Sequence, residues 1–181
     1  MISEIRPPKL VCLTGFMGCG KSTTALLLAR QVGWTCVDLD KRITDATGME
    51  IPDIFSRMGE PEFRRIENDQ LVRAVGESVE QQKPSILSLG GGTTAQPVNV
   101  AHLRENRAVL VWLQCPVEEL LLRCAQITNR PLFRDEASFR RLYQDRMPSY
   151  ELSDYRVDGS VEPLRVVEQI LALGIFPKVT V

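Results

Sequence analysis

The chain has 181 residues, of which 44% are hydrophobic and 25% are charged, and its formal net charge is -1 at pH 7. A chain of this size and composition is expected to form one globular domain with a complete core. The near-neutral charge provides no electrostatic attraction for nucleic acid or for an anionic membrane surface, so we expect a small-molecule partner.

The N-terminal segment and the cysteines indicate a cellular compartment. Residues 1–9 include charged residues and prolines, unlike the apolar region of a signal peptide, and no stretch is apolar enough to predict a membrane span. The 5 cysteines are widely spaced and form no C-x-x-C pair, so we expect neither disulfides nor a structural zinc site. We therefore expect a cytoplasmic protein with reduced thiols, and a monomer.

Short apolar runs alternate along the chain with longer segments of helical period, which is typical of βαβ units around a parallel sheet. The predicted strands are Leu10–Thr14, Thr35–Asp38, Ser85–Leu89, Ala108–Leu113 and Tyr155–Val157. The predicted helices are Lys21–Gln31, Pro61–Val75, a short helix after Pro97, Pro116–Ala125 and Pro163–Leu173. Neither a repeat nor a linker divides the chain, so residues 1–181 are expected to form a single domain.

Residues 15–22 read GFMGCGKS and fit the pattern G-x-x-x-x-G-K-[ST] between the first predicted strand and the first predicted helix. In such a loop the backbone amides converge on phosphate oxygens, Lys21 reaches the β- and γ-phosphates, and the Ser22 hydroxyl ligates Mg²⁺. The motif therefore predicts a nucleoside triphosphate site. The predicted nucleotide contacts in it are Gly18, Cys19, Gly20, Lys21, Ser22 and Thr23.

Asp38 and Asp40 stand at the carboxyl end of the second predicted strand, where side chains two residues apart point to one side of the sheet. In open α/β sheets that end of the strands faces the ligand crevice. Two carboxylates there are suited to the water shell of Mg²⁺ and to a substrate hydroxyl, with one of them acting as base. The alternative is that they merely end a strand and cap a helix.

Arg64 and Arg65 flank the apolar positions Phe63 and Ile66 of the second predicted helix. A guanidinium next to a pocket is suited to bidentate capture of a carboxylate, and Glu67 is placed one turn on to steady Arg64. The alternative is that both arginines are solvated on a helix face. Helix geometry does not decide which of the two arginines, Arg64 or Arg65, faces the pocket.

Gly90, Gly91 and Gly92 follow the third predicted strand, again at a carboxyl end. Without any Cβ atoms, this segment lets backbone amides approach a bound substrate closely. A flexible turn is the alternative.

Between positions 123 and 146 the chain is rich in arginine, and most such charge runs are simply solvated. A phosphoryl-transfer enzyme nevertheless needs cations over the transferring group, and Arg130, which precedes Pro131, is the candidate. It lies in the segment Ile127–Ala137, which is either a plain surface loop or a lid that closes over a phosphate donor.

In this order the motifs resemble those of the shikimate kinases, a family of the nucleoside-monophosphate-kinase type, from about Leu10 to Tyr155. The segments that carry the resemblance are the loop 15–22, Asp38-Leu39-Asp40, residues 59–67, Leu89-Gly90-Gly91-Gly92, Arg130-Pro131-Leu132, and Arg146-x-Pro148-x-Tyr150. The resemblance implies a three-layer P-loop NTPase fold with a five-stranded parallel sheet, a substrate-binding segment at about residues 41–75 and a mobile lid at about residues 127–137.

The resemblance also implies the reaction, in which ATP with Mg²⁺ phosphorylates the 3-hydroxyl of shikimate in chorismate biosynthesis. It implies that Asp40 binds the ring hydroxyls, that Asp38 and Ser22 support the metal, and that Lys21, Asp40 and Arg130 are catalytic. It assigns the substrate carboxylate to Arg64 rather than Arg65, together with Arg146 and with help from Gly91. Gly90 and Gly92 are also expected to bind the substrate. Arg123 matches the position that packs on adenine.

Two features depart from the family pattern: Cys19 replaces the usual Ser or Ala, and the lid after Leu132 is a few residues short.

Three alternatives to a shikimate kinase remain. A gluconate-type kinase would carry other groups in place of the triple glycine and residues 59–67. A regulatory GTPase is opposed by the lack of an N-K-x-D motif, although residues 45–48 fit D-x-x-G. A catalytically silent binding protein with the same fold is opposed because every polar position that matches the family motifs keeps its charge or hydroxyl.

Overall fold

The structure, a computed structural model, describes residues 9–125 and 135–177, and within them five parallel strands form one sheet. The strands are β1 (Leu10–Thr14), β2 (Thr35–Asp38), β3 (Ser85–Ser88), β4 (Val109–Gln114) and β5 (Tyr155–Asp158), in the spatial order β2-β3-β1-β4-β5. All five predicted strands are confirmed, with ends that differ by at most one residue.

Seven α-helices flank the sheet in the described ranges, and a 3-10 turn (Thr93–Ala95) follows β3. The helices are α1 (Lys21–Val32), α2 (Leu39–Thr47), α3 (Ile51–Glu80), α4 (Pro97–Glu105), α5 (Val117–Ala125), α6 (Glu136–Tyr150) and α7 (Pro163–Ala172). The predicted helices are all present. Two others, α2 and α6, were not predicted, and α3 begins well before its predicted start at Pro61.

Helix α3 consists of two helical segments that meet at a kink. Gly59 has φ 80° and ψ 168°, a conformation that interrupts the helix, and Pro61 follows two residues later. Proline lacks an N–H group and is tolerated in the first turn of a helix, so the second segment can restart at this point. The kink lets the first segment cover the cavity described below while the second segment packs on the sheet.

The core lies on both faces of the sheet. In β1, Val11 and Leu13 pack on one face with α1, α5, α6 and α7, whereas Leu10 and Cys12 pack on the other face with α2, α3 and α4. Alternate residues of a strand point to opposite faces, so a strand buried on both faces is apolar throughout. The result is the three-layer α/β architecture expected from the sequence.

The strand order places β1 between β3 and β4. Because β2 and β3 lie on one side of β1 and β4 and β5 on the other, the connections after neighbouring strands leave in opposite directions at the carboxyl edge of β1. The loop 15–22 leaves the sheet at this point. None of the helices in the described ranges is long and apolar enough to cross a membrane.

Candidate active site

The loop 15–22 wraps around the start of α1 in a conformation that its glycines permit. Gly15, Gly18 and Gly20 have φ values of 143°, 84° and 89°, all unfavourable for residues with a side chain. Gly20 caps α1 and has no side chain that could occupy the first amide groups of the helix. The loop and the partial positive charge of the helix terminus form an anion site that fits phosphates.

Lys21 lies across this loop. Its Nζ atom donates to the carbonyl oxygens of Gly15 at 2.8 Å and Phe16 at 3.1 Å. Cys19, the departure from the family pattern, has a buried side chain that packs in the core. A loop that binds phosphate through its backbone accommodates this thiol, because the side chain of Cys19 is buried in the core.

Ser22 and Asp38, the residues expected at a metal, both neighbour Ser88 at the end of β3. The Ser22 hydroxyl is 3.4 Å from the hydroxyl of Ser88, the last residue of β3. Asp38 is paired with Ser88 in the strand register, and paired residues of neighbouring parallel strands face the same side of the sheet. Ser88 was not among the residues predicted for the site. Its position at the carboxyl end of a buried strand is the signal that could have identified it.

The predicted geometry of Asp38 and Asp40 was wrong in one respect. The strand ends at Asp38, whose carboxylate accepts a hydrogen bond from the Lys41 amide at 3.1 Å and thereby caps α2. Asp40 therefore lies in the first turn of a helix and not on a strand. Asp38 thus caps a helix, which leaves its predicted role at the metal a prediction, while Asp40 faces a cavity.

That cavity, of about 430 Å³, opens beside the phosphate-binding loop and is formed by α2, α3, α6 and the glycine turn after β3. Its apolar wall includes Phe16 and Met17 of the loop and Phe55 and Phe63 of α3. Its charged and glycine-rich wall is formed by Asp40, Lys41, Glu50, Arg64, Glu67, Gly90, Gly91, Gly92 and Arg146. We refer to it below as the acceptor cavity.

Arg64 is held at this cavity by carboxylates. Its guanidinium donates to Glu67 at 2.8 Å and to Glu60 at 3.0 Å, and Glu67, which is fully buried, also accepts a hydrogen bond from the Thr93 hydroxyl at 2.7 Å. Burial disfavours the charge on Arg64, but the Glu67 and Glu60 carboxylates outweigh it and raise the pKa of Arg64 above its ordinary value. Arg64 is therefore a fixed, permanent cation.

Arg65 points the other way. Its side chain is 62% exposed and pairs on the surface with Glu62 and Asp69. The fold thus separates two arginines that helix periodicity could not distinguish: the side chain of Arg64, only 14% exposed, faces the cavity, and Arg65 is solvated.

The glycine turn makes room for charged side chains as well as for a ligand. A Cβ atom on Gly90 would lie 2.9 Å from Glu67 Oε1 and 3.0 Å from Asp40 Oδ1. One on Gly92 would overlap the guanidinium of Arg146 and lie 2.7 Å from that of Arg64. Asp40 is thus at one end of the turn, and the two arginines converge at the other end.

A second cavity, of about 380 Å³, adjoins Cys19 and Gly20 of the phosphate-binding loop. Arg123 lines it and donates to the carbonyl oxygens of Gly159 at 3.0 Å and Ser160 at 2.6 Å. Residues 159–163 also line this cavity, and none of them was among the residues predicted for the site. The turn after β5, at the same edge as the other loops, is the feature that could have indicated it.

The remaining predicted residues have different outcomes. Thr23 is exposed in the first turn of α1, next to Ser22. Arg130 lies outside the described residues, as does the predicted lid from 127 to 134, whereas residues 136 and 137 belong to α6.

The fold and the site define a class of protein. A phosphate-binding loop at the carboxyl edge of a parallel sheet, next to a cavity that carries both a carboxylate and paired arginines, is the arrangement of a P-loop kinase that acts on a small molecule.

Comparison with known proteins gives the particular family. The family model for shikimate kinase matches residues 17–173. A shikimate kinase of Thermodesulfovibrio yellowstonii is 35% identical over 167 residues, which cover 90% of this chain and 93% of that protein. The solved structure of a shikimate kinase from Acinetobacter baumannii in complex with shikimate has a TM-score of 0.84 and 32% identity, over 98% of this chain and 97% of that one. The chain belongs to the shikimate kinase family.

A solved shikimate kinase structure from Aquifex aeolicus has a TM-score of 0.77 and 29% identity, and it covers 90% of this chain and 94% of that one. The resemblance inferred from the sequence and the predicted fold class are therefore confirmed.

Proposed function

We propose that this chain transfers the γ-phosphoryl group of ATP to the 3-hydroxyl of shikimate, with shikimate in the acceptor cavity and ATP along the phosphate-binding loop. The observation that carries this proposal is the convergence of Arg64 and Arg146 on Gly92, with Asp40 at the opposite end of the same glycine turn. Paired guanidiniums are suited to a carboxylate, and a carboxylate is suited to hydroxyls, so the cavity matches a hydroxylated acid in both charge and polarity.

Asp40 is assigned to the reacting end of the substrate. In this proposal its carboxylate accepts the hydrogen bond of the attacking hydroxyl and takes its proton as the phosphoryl group arrives. Arg64 and Arg146, with the backbone of Gly91, hold the carboxylate at the other end of the ring. Fixing the substrate at both ends supplies the orientation on which phosphoryl transfer depends.

The phosphates of ATP are assigned to the loop, where the backbone of residues 18–23 and the Lys21 ammonium bind them. The second cavity is assigned to the adenine, with Arg123 packed on the base, because the Arg123 hydrogen bonds to Gly159 and Ser160 fix the plane of its guanidinium. Arg130 stays a prediction as the lid cation over the transferring group.

Ser22 and Asp38 are the residues that would help to hold Mg²⁺, Ser22 through its hydroxyl and Asp38 through its carboxylate. In the described part of the chain, groups of three or more His, Cys, Asp or Glu that could hold a metal ion are absent, which fits a metal bound chiefly by ATP phosphates. When bound, the ion would neutralise charge on the β- and γ-phosphates.

The metal assignment predicts that EDTA stops turnover. It also predicts that Ser22→Ala weakens ATP binding only when Mg²⁺ is present, which calorimetry with and without Mg²⁺ would measure.

A coupled assay of ADP release tests the function as a whole. We expect turnover with shikimate, and only background ADP release with gluconate or without an acceptor. Equal rates with gluconate would favour the gluconate-type kinase, and rapid ADP release without any acceptor would indicate an ATPase.

The expectation of a cytoplasmic monomer stays a prediction. Light scattering after size-exclusion chromatography would test whether the protein is a monomer.

A further inference from the structure

Tyr150, the last residue of α6, reaches the glycine turn with its hydroxyl. The side chain is fully buried, and its ring stacks on Trp112 of β4 with centroids 5.9 Å apart and an interplanar angle of 28°. The hydroxyl donates to the carbonyl oxygen of Gly91 at 2.6 Å. A stacked ring fixes the hydroxyl in place, so this contact is built into the core rather than formed by a mobile side chain.

Arg146 donates to the same carbonyl oxygen at 2.7 Å. The two residues are four apart on α6 and therefore lie on one face of the helix. A carbonyl oxygen has two lone pairs, and here one accepts from Tyr150 and the other from Arg146. Because the carbonyl is neutral, this anchor positions Arg146 without cancelling its charge, whereas Arg64 is held by two carboxylates.

The shared acceptor belongs to a segment that needs an anchor. Consecutive glycines have more conformational freedom than other residues, and a rotation of the Gly91–Gly92 peptide would carry Arg146 away from Gly92. Burial raises the pKa of Tyr150, and the nearby Arg146 cation only partly opposes this shift. The hydroxyl therefore keeps its proton and stays a donor at physiological pH.

We infer that Tyr150 is a positioning residue for the acceptor carboxylate, which acts by fixing the Gly91 carbonyl that holds Arg146 against Gly92. The inference rests on the proposed function, in which Arg146 binds the carboxylate of shikimate. It extends the site to a side chain that is buried in the core.

Tyr150→Phe tests the inference because it removes the hydroxyl and keeps the stacked ring. We expect the shikimate KM to rise about 2–10-fold, the effect of one lost hydrogen bond, while kcat and the ATP KM change by less than about twofold. Tyr143→Phe is the matched control, since its hydroxyl, also on α6, donates to the Cys115 carbonyl at 3.2 Å. It should lower the melting temperature by no more than Tyr150→Phe does and leave the shikimate KM unchanged.

A double-mutant cycle tests whether Tyr150 acts through Arg146. In an Arg146→Ala background, Tyr150→Phe should change the shikimate KM by less than about twofold, because the guanidinium that it positions is gone. A parental KM for Tyr150→Phe, or an undiminished effect in that background, would overturn the inference and leave the proposed function intact. A parental KM for Arg146→Ala would overturn the acceptor assignment itself.

Discussion

The phosphate-binding loop and the acceptor cavity lie side by side, yet they are built from different parts of the chain. The loop is one continuous segment, residues 15–22, and it presents backbone groups held by glycines with positive φ. The cavity brings together charged side chains from α2, α3 and α6, which lie between Asp40 and Arg146 in the sequence, around a separate glycine turn.

This difference decides how each site responds to change. A site made of backbone groups tolerates a new side chain that points inward, as the buried Cys19 does. A site made of side chains depends on each charge and on the space that each occupies. Substitutions in the two regions should therefore fail in different ways, and kinetic constants can separate them.

The largest effect is expected at Asp40, where the cavity meets the reacting hydroxyl. Asp40→Asn keeps the size of the side chain but removes the negative charge, so kcat should fall by about 10²–10⁴-fold if the carboxylate acts as base. Steady-state kinetics with both substrates would measure this. A kcat within about threefold of the parent would exclude Asp40 as the base.

Lys21→Met should have the next largest effect, in the loop. It removes a cation from the β- and γ-phosphates, and we expect kcat to fall by about 10²–10³-fold, the loss typical of one charge-stabilising donor in a transition state. Circular dichroism should show the parental fold. Undiminished turnover in a folded variant would refute the assignment of the loop.

Gly92→Ala tests the space in the side-chain site. The new Cβ would displace the guanidiniums of Arg64 and Arg146 from the positions in which their hydrogen bonds hold them, so the shikimate KM should rise by about tenfold or more. Unchanged binding would mean that the arginines do not need their observed positions.

Gly76→Ala is the matched control for this substitution. Gly76 lies within α3, and a Cβ there meets nothing within 4 Å. The change should raise the free energy of unfolding by about 0.5–1 kcal/mol, because alanine loses less conformational freedom in a helix than glycine does. Thermal or urea unfolding measures this gain, and the kinetic constants should stay parental.

The contrast between a continuous loop and a cavity built from distant segments explains which features could be predicted from the sequence. The strands, the loop and its adjoining helix were predicted because each is a local pattern: a buried strand is an apolar run, and the loop is a contiguous motif. The residues of the acceptor cavity had local alternatives, such as solvated arginines or a flexible turn. The resemblance to a family narrowed these alternatives where the spacing did not.

The two helices that were missed illustrate the limit. In α6, the apolar face consists of the buried Phe139 and Tyr150 with the partly buried Leu142, Tyr143 and Met147, but charged residues lie between them and Pro148 lies near the end of the helix. Helix α2 is similarly polar, with Leu39 and Ile43 buried. Contacts such as Thr93 with Glu67 and Tyr150 with Gly91 join residues far apart in sequence, so only the fold brings them together.

The most direct test of the account compares two adjacent arginines by calorimetry. Arg64→Ala removes a charge-assisted bond worth roughly 1.5–3 kcal/mol, so the shikimate Kd should rise by about 10–150-fold while the ATP Kd stays unchanged. Arg65→Ala removes surface ion pairs with Glu62 and Asp69 and should leave both Kd values unchanged. If Arg64→Ala binds shikimate as tightly as the parent does, the carboxylate is held elsewhere and the proposed acceptor site is wrong.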